Sequence, residues 1–572
     1  MDNLRHSCAH LLAAAVMQLW PNTKRTIGPA IENGFYFDFD FGKVKINDED
    51  LPKIEKKMRQ ILPTWKGFER HELSTQDAKK EYPGNEFKEE LIDEFTKDGQ
   101  KLSFYKSGDY WDLCKGGHVE NPDKVLGNFK LLSIAGAYWR GSEKNKMLTR
   151  IYGTVFPTKE ELDKYLWQLE EAKKRDHKKL GPKLELFMFD PYSPGMPYWL
   201  PHGVIVLNEL VNFWRVEHNK RGYQEIKTPL INKRELYETS GHWDHYRENM
   251  FLSETSEKEI YGLKPMNCPN AMVVFAKKSR SYRELPLRLS DTDTLHRYER
   301  SGTLNGLFRV REFSQDDAHI FVSENQIKDE YMRIFEITEL FYSVFNMEYS
   351  YRLGTRPEKF MGDKKVWDRA EKELKAILDK SGKKYTVLAG DGAFYGPKID
   401  ILMKDFLGRE WQMGTIQLDF QIPKRFGLAY QAADGTLKTP VVIHRVIYGS
   451  LERFIGILIE HSAGNFPDWL SPVQITLIPI AERHNDYVKK IQDELLKNGV
   501  RVNVDDRAER MQARIRDATL QKVPYIGIIG DREARNEAFS FSLRNIKGED
   551  KGIITIDEFI SKILKKAVSA KG

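Results

Sequence analysis

Leu295-His296-Arg297-Tyr298-Glu299-Arg300 runs into Ser301-Gly302-Thr303-Leu304-Asn305-Gly306, a segment rich in turn formers, and the chain returns as Leu307-Phe308-Arg309-Val310-Arg311-Glu312-Phe313. Two short strands joined by such a loop bring Arg297 and Arg309 together as a fork of planar donors suited to phosphate oxygens. Taken alone, an arginine-rich hairpin is more often a solvated surface, so its surroundings decide. Upstream, Val204 to Arg221 reads as a long helix, followed by a strand from Tyr223 to Lys227 and Thr228-Pro229. Short strands at Leu287 to Leu289, Leu307 to Val310 and His319 to Val322 predict a mainly antiparallel sheet within residues 182–470. No GxxxxGK[ST] loop occurs, and no GxGxxG follows a strand. A nucleotide, if bound, is therefore gripped by side-chain cations rather than by backbone amides at a helix N-terminus.

On the N-terminal side, an amphipathic helix from His6 to Leu19 and the alternating run Gly34-Phe35-Tyr36-Phe37-Asp38-Phe39-Asp40 predict an α+β domain over residues 1–156. After Pro157, Thr158 and Glu161 form a capping box that starts a charged linker helix over 157–181, expected to stop at Gly181-Pro182. The last unit, 471–572, reads strand (Ile475 to Ile480), helix (His484 to Lys497), strand (Val500 to Val504), helix (Met511 to Gln521) and strand (Tyr525 to Ile529). A further strand (Phe539 to Leu543) and a closing helix (Ile556 to Lys566) complete a small, largely parallel sheet.

Hydrophobic residues at 40% and charged residues at 30% exclude fibrous and wholly disordered classes. No apolar stretch approaches eighteen residues, and Met1-Asp2-Asn3-Leu4-Arg5-His6 lacks the features of a signal or transit peptide, so a cytoplasmic protein without a membrane partner is expected. Three cysteines, Cys8, Cys114 and Cys268, are too few for a disulfide framework. The net charge of +6 proves no polyanion partner by itself. From Ser471 onward, however, 19 Lys and Arg face 15 Asp and Glu, a local +4 that hints at nucleic acid.

Arg297-Tyr298-Glu299 ahead of its loop, the long helix and strand ending at Pro229, and Gly449-Ser450-Leu451-Glu452-Arg453-Phe454 opening a helix resemble motifs 2, 1 and 3 of class II aminoacyl-tRNA synthetases. Pro265-Met266-Asn267-Cys268-Pro269, Gln315-Asp316-Asp317-Ala318-His319, Phe394-Tyr395-Gly396-Pro397-Lys398 and Val442-Ile443-His444-Arg445 resemble the threonyl-tRNA synthetases within that class, over essentially the whole chain. The fold implied is α+β and multidomain: an editing domain (1–156), a linker helix (157–181), a class II antiparallel sheet flanked by helices (182–470), and a small α/β anticodon-binding domain (471–572).

The resemblance implies ATP bound with Mg²⁺, with Arg297 on the α-phosphate, Glu299 on the adenine amino group, and Arg309 and Arg453 on the outer phosphates. Lys398 joins the catalytic set and Gln315 the substrate-binding one. Fixed guanidinium groups stabilise the charge that develops at the α-phosphorus without reorganising. The substrate carboxylate attacks ATP, and the terminal ribose hydroxyl of tRNA(Thr) then displaces AMP. A homodimer built through motif 1 is also implied. By spacing alone, 51 and 125 residues apart, Cys268, His319 and His444 read as a buried small hydrophobe and two ordinary polar residues. The resemblance makes them the ligands of one zinc per subunit, which takes the amino group and hydroxyl of L-threonine. Asp317 then accepts from the hydroxyl, and Tyr395, Gln412 and Gln417 line the pocket.

Serine keeps that hydroxyl and lacks one methyl, worth about 1–3 kcal/mol, so it leaks through. His6 and His10 lie i, i+4 on one helical face, and Cys114-Lys115-Gly116-Gly117-His118 offers a second pair on a glycine-rich loop. Alone, His6 and His10 merely decorate a helix. Together the four match the editing motifs shared by threonyl and alanyl synthetases, with Asp112 and Lys88 at further matching positions. Two His, a Cys and a further His are also a plausible zinc set. Glu533 and Arg544 are the candidates for anticodon contacts. Three departures stand out: no small N-terminal ubiquitin-like domain precedes the first unit, Asn270-Ala271 replaces Gly-His, and Ser290-Asp291-Thr292-Asp293 replaces Ala-Glu-Phe-Gly. The competing readings are a non-catalytic RNA-binding regulator, which is expected to lack a motif 2 or 3 arginine, and another class II ligase such as a prolyl enzyme.

Overall fold

The aromatic run Gly34–Asp40 is an inner strand of the first of two units, Met1–Glu170 and Glu171–Gly572, into which the computed structural model divides. The structure describes residues 1–97, 102–535 and 539–561. In the first unit the antiparallel order is Lys24–Arg25, Gly34–Asp40, Met147–Val155, Phe129–Tyr138. Phe35, Phe37 and Phe39 are buried on one face against the helices Asp2–Leu19 and Leu51–Ile61. Asp38 on the alternate face receives a bidentate pair from Arg150 at 2.7 and 2.8 Å. The opening helix is more enclosed than an amphipathic reading implies: from Leu4 to Val16 every residue but His6 is buried, because its small Ala and Ser positions let neighbours approach all round. A separate three-stranded sheet, Glu69–Leu73, Leu102–Ser107 and Tyr110–Leu113, carries the loop with Cys114.

Thr158 and Glu161 form the capping box, each backbone N–H meeting the other side chain at 3.2 Å. The helix does not run to Leu180. It ends at Arg175, and Asp176 accepts from Lys178 N–H at 2.9 Å to start a second helix, His177–Lys183. Asp is a strong N-cap and wins over continuation. Gly181 is a packing point within that helix rather than its stop, since a Cβ there would lie 2.2 Å from the Phe187 ring.

The second unit is built on the expected sheet, whose main path runs Gln224–Glu225, Leu287–Asp291, Glu312–Val322, Val441–Ser450, Glu410–Asp419, Lys398–Lys404, Glu348–Gly354, Tyr385–Leu388. All neighbours pair antiparallel except at the two ends. Helices Pro201–Asn219, Ile327–Ser343, Lys364–Ser381 and Leu451–Ser462 cover it. One predicted strand is absent among the described residues. Leu307–Val310 is an irregular return limb with isolated bridges from Asn305, and the hairpin is instead Thr294–His296 against Glu312–Ser314. Positive φ at Gly306 and the turn Phe308 N–H to Asn305 C=O at 2.9 Å break the ladder there.

The tail sheet has the order Val502–Val504, Ile475–Pro479, Tyr525–Ile529, Ser540–Asn545, Asp550–Thr555. Its first three strands are parallel, and the last two are antiparallel. The strand Asp550–Thr555 was not expected from the sequence, because Gly552 and its charges hide its period. The closing helix begins at Ile556, and its expected part from 562 to 566 lies outside the described residues.

Candidate active sites

Antiparallel pairing of Glu312–Val322 with Val441–Ser450 sets His319 directly opposite His444, and Gln417 on the next strand lies opposite His444 in turn. Alternation puts Gln315, Asp317 and His319 on one face, where they line a pocket of about 600 Å³. Cys268, the first residue of the helix Cys268–Ala276, completes it. Sγ of Cys268 and one nitrogen each of His319 and His444 fall within 4.8 Å of one another, and all three residues are buried. Nε2 of His444 donates to Asp419 at 2.9 Å, leaving buried Nδ1 without a partner, and neither nitrogen of His319 has one. Buried polar atoms left unmet are costly, and a carboxylate behind a ligand histidine is the usual outer support of a metal. These residues fit a zinc ion. Burial pushes the Cys268 thiol well up, with Asp317 and Asp419 adding to it, and takes His319 down to about 4.

Asp317 accepts from Asn267 Nδ2 at 3.1 Å, and the Tyr395 hydroxyl donates to Gln417 Oε1. Gln412 borders the pocket, but its amide is engaged by Arg352 and Asp400 at 2.9 Å each. Lys398 is not among the pocket's lining residues. It pairs with Asp391 and Asp400 at 3.1 Å each.

Arg297, Arg309 and Arg453 converge on the same pocket from three segments. Arg297 donates to the Pro265 carbonyl at 3.2 Å and packs 4.9 Å from the Phe313 ring. Arg453 sits in the first turn of the helix Leu451–Ser462, whose cap Ser450 accepts from its N–H at 3.2 Å. Its Nε donates to the Phe308 carbonyl at 2.9 Å. Burial, then Arg309 and Arg297, press the Arg453 guanidinium below its ordinary range, the signature of cations gathered for an anion. Glu299 accepts from Arg309 at 2.9 Å. The departing segment is built in: Asp291 lies opposite Asp317, and Asp293 accepts from Thr228 N–H and Oγ1 at 2.8 and 2.9 Å and from buried Lys264 at 2.6 Å.

A second pocket, about 480 Å³, lies in the first unit. His6, His10 and Cys114 line it, Cys114 Sγ lies 3.0 Å from His6 Nε2 and 3.4 Å from His118 Nε2, and the four candidate ligand atoms fall within 4.8 Å. Gly116 and Gly117, both at positive φ, shape the loop. Burial lowers all three imidazoles, His118 to about 3, and raises Cys114 to about 11, so the cluster is neutral at pH 7. Lys88 lines this pocket, fully buried, and contacts Asp112 at 2.9 Å. Asp112 also takes Arg25 at 3.2 Å and the hydroxyls of Tyr82 and Tyr110 at 2.5 and 2.9 Å. Against its burial, Lys88 and Arg25 hold the Asp112 carboxyl below the ordinary range. Arg25, Tyr82, Tyr110 and Asp419 were missed from sequence; all but Tyr110, which lies two residues from Asp112, act through a partner distant along the chain. In the tail, Glu533 is buried and accepts from Gly530 N–H at 2.9 Å and Ser542 at 2.7 Å, while Arg544 lies on a strand opposite Ile526.

Three family models match: the tRNA synthetase class II core domain (G, H, P, S and T) over residues 251–462, an anticodon binding domain over 474–566, and the threonyl and alanyl tRNA synthetase second additional domain over 102–152. The chain is 51% identical to a threonine–tRNA ligase of Thermotoga neapolitana over 570 residues, 99% of this chain and 88% of that one. It is 51% identical to that of Clostridium botulinum Okra over 570 residues, 99% and 89% of the two chains. A crystal structure of the RNA binding domain of threonyl-tRNA synthetase from Cryptosporidium parvum superposes with a TM-score of 0.66 at 43% identity, covering 68% of this chain and 98% of that one.

Proposed function

Since the chain belongs to the threonine–tRNA ligases, class II aminoacyl-tRNA synthetases, we propose that its two pockets divide charging from correction. The enzyme uses ATP with Mg²⁺ to join threonine to tRNA. In our reading Arg297 holds the α-phosphate and Arg309 and Arg453 the outer phosphates, while Asp317 and Gln417 orient the amino acid and Tyr395 closes the pocket. Zinc on Cys268, His319 and His444 would supply a Lewis-acid site for the amino group and hydroxyl of threonine. Asp419 fixes the His444 ring so that Nδ1 faces the pocket. The threonine carboxylate then meets the α-phosphorus, whose developing charge the three arginines stabilise. The observation that carries this reading is that the three candidate ligands and the three arginines share one pocket.

The same reading gives the second pocket, in the first unit, the hydrolysis of Ser-tRNA(Thr). The cluster of His6, His10, Cys114 and His118 would position or activate the attacking water, and Lys88 is placed to face the oxyanion. We assign 1–156 to editing, 157–181 to the linker, 182–470 to activation and 471–572 to the anticodon. A homodimer through motif 1 accords with exposed Val204, Val216, Leu230 and Ile231 beside it. No described helix is long and apolar enough to cross a membrane, and we place the enzyme in the cytoplasm. Pyrophosphate exchange with threonine, serine, valine and proline tests the first site: activation of threonine and weakly of serine is expected, and activation of proline instead refutes it. Deacylation of preformed Ser-tRNA(Thr) tests the second. His6→Ala and Cys114→Ala should lose it while threonylation persists, and hydrolysis equal to wild type would make these residues structural.

A further inference from the structure

The short helix His177–Lys183 touches the activation pocket's framework where none of the motifs reaches. His177 is fully buried, with Nδ1 2.8 Å from Glu460 Oε1 and Nε2 3.0 Å from the Leu307 backbone nitrogen. A backbone N–H can only donate, so Nε2 is the acceptor and the ring proton sits on Nδ1 against the Glu460 carboxylate. Glu460 is held in turn by Arg409. Arg175 donates to the carbonyls of Glu460 and His461 at 3.4 and 3.0 Å, at the helix end where orphan carbonyls favour a cation. Lys178 reaches Asn305 Oδ1 at 3.2 Å.

The irregular limb Leu307–Val310 is thus fixed from behind. In front, the Phe308 carbonyl receives Arg453, its ring lies 4.0 Å from the His177 ring and 4.6 Å from Trp411, and Arg309 follows directly. We infer that His177 is a positioning residue for amino acid activation: by accepting the Leu307 N–H it fixes the segment from which Arg309 projects and on which Arg453 rests. This rests on the reading of those arginines as triphosphate ligands. One neutral imidazole meets both Glu460 and Leu307, and neither Asn nor Gln reproduces both contacts.

The test is threonine-dependent pyrophosphate exchange with ATP and threonine varied separately, alongside thermal unfolding. H177N places its amide near Nδ1 and keeps Glu460 but leaves the Leu307 N–H unmet, while H177Q reaches the Nε2 position and keeps the acceptor. G306A attacks the contact from the loop side, since its Cβ would fall 2.3 Å from His177 Nε2. H177N and G306A are each expected to lower kcat/KM for ATP about tenfold to hundredfold, the scale of a misplaced positioning contact. The KM for threonine stays unchanged, and H177Q retains most activity. Wild-type ATP kinetics in H177N or in G306A overturn the inference. So does an equal fall of H177N and H177Q in which ATP and threonine constants move together, as a general loss of packing produces. G306A carries the test if H177N does not fold. Arg453→Ala separates the two claims: normal activation by that variant sinks the reading of the arginines, whereas an inactive R453A beside an intact H177N sinks only the role of His177.

Discussion

Removing the carboxylate of Asp112 and removing the ammonium of Lys88 should damage the enzyme in different ways, although the two groups touch at 2.9 Å. Asp112 serves two cations, Lys88 and Arg25, with side chains 3% and 14% exposed, and two phenols. Asp112→Asn leaves both cations without their counter-charge inside the fold, a loss of about 3–5 kcal/mol. In a unit of this size each kcal/mol moves a melting transition about 2–4 °C, so the transition holding this pocket should fall by roughly 6–20 °C. Lys88→Met leaves Asp112 with Arg25, Tyr82 and Tyr110, and costs only about 1–3 kcal/mol. Its effect is chemical: losing the cation that faces the oxyanion should slow deacylation of Ser-tRNA(Thr) about 10²–10³-fold. Calorimetry and deacylation of preformed substrate, with threonine-dependent pyrophosphate exchange unchanged in K88M, read the two effects apart. A K88M variant that deacylates at the wild-type rate, or D112N melting with the wild type, would refute the reasoning.

Cys268→Ala leaves a two-histidine remnant and is expected to lose both bound zinc, read by metal analysis of the purified protein, and threonine activation; a zinc-free variant that activates threonine normally removes the metal from the reading. Arg544→Ala should raise the KM for tRNA while pyrophosphate exchange is unchanged, whereas Glu533, consumed by its contacts to Gly530 and Ser542, should affect stability rather than tRNA affinity. Stability should fall on acidification. Buried His10 and half-buried His118 stay neutral in the fold, His118 down to about 3, while the unfolded chain takes up protons below pH 6.5. Their contribution is complete above pH 6.5 and is lost toward pH 3, at up to about 1.4 kcal/mol per pH unit for each imidazole. Calorimetry from pH 7.5 to 4.5 checks the sign, and a transition that rises on acidification contradicts it.

What the sequence disclosed follows the range of the forces involved. Period-two and capping signals are local, so the strand Gly34–Asp40 and the cap at Thr158 were readable. Asp176 was not, because a second helix start inside a charged run is settled by which cap wins. The pairing of His319 with His444 was beyond spacing, since register between strands 125 residues apart is set by the whole sheet; only the family motifs put them together. The outer partners were invisible for the same reason. Asp419 is an ordinary acid until folding sets it behind His444, and Arg25 is a surface-type residue until Asp112 draws it in.

The pair between Arg309 and Glu299 resolves a tension in the activation pocket. Three arginines converging on one volume repel, and burial, then Arg309 and Arg297, lower Arg453, so an activation site assembled before ATP arrives needs some compensation. Glu299 provides it at 2.9 Å, but with side chains 50% and 21% exposed the pair is screened and is worth only about 0–1 kcal/mol. A buried pair would have to be broken at a cost of several kcal/mol. This one is cheap to exchange: on the proposed roles, phosphate oxygens would take Arg309 and leave Glu299 free to accept from the adenine amino group. One weak contact thus keeps both groups near their working positions in the free enzyme. Replacing Glu299 by Ala removes the compensation as well as the adenine contact, so its effect on ATP affinity, read by equilibrium titration, should exceed that of Glu299→Gln, which keeps an amide oxygen for the base.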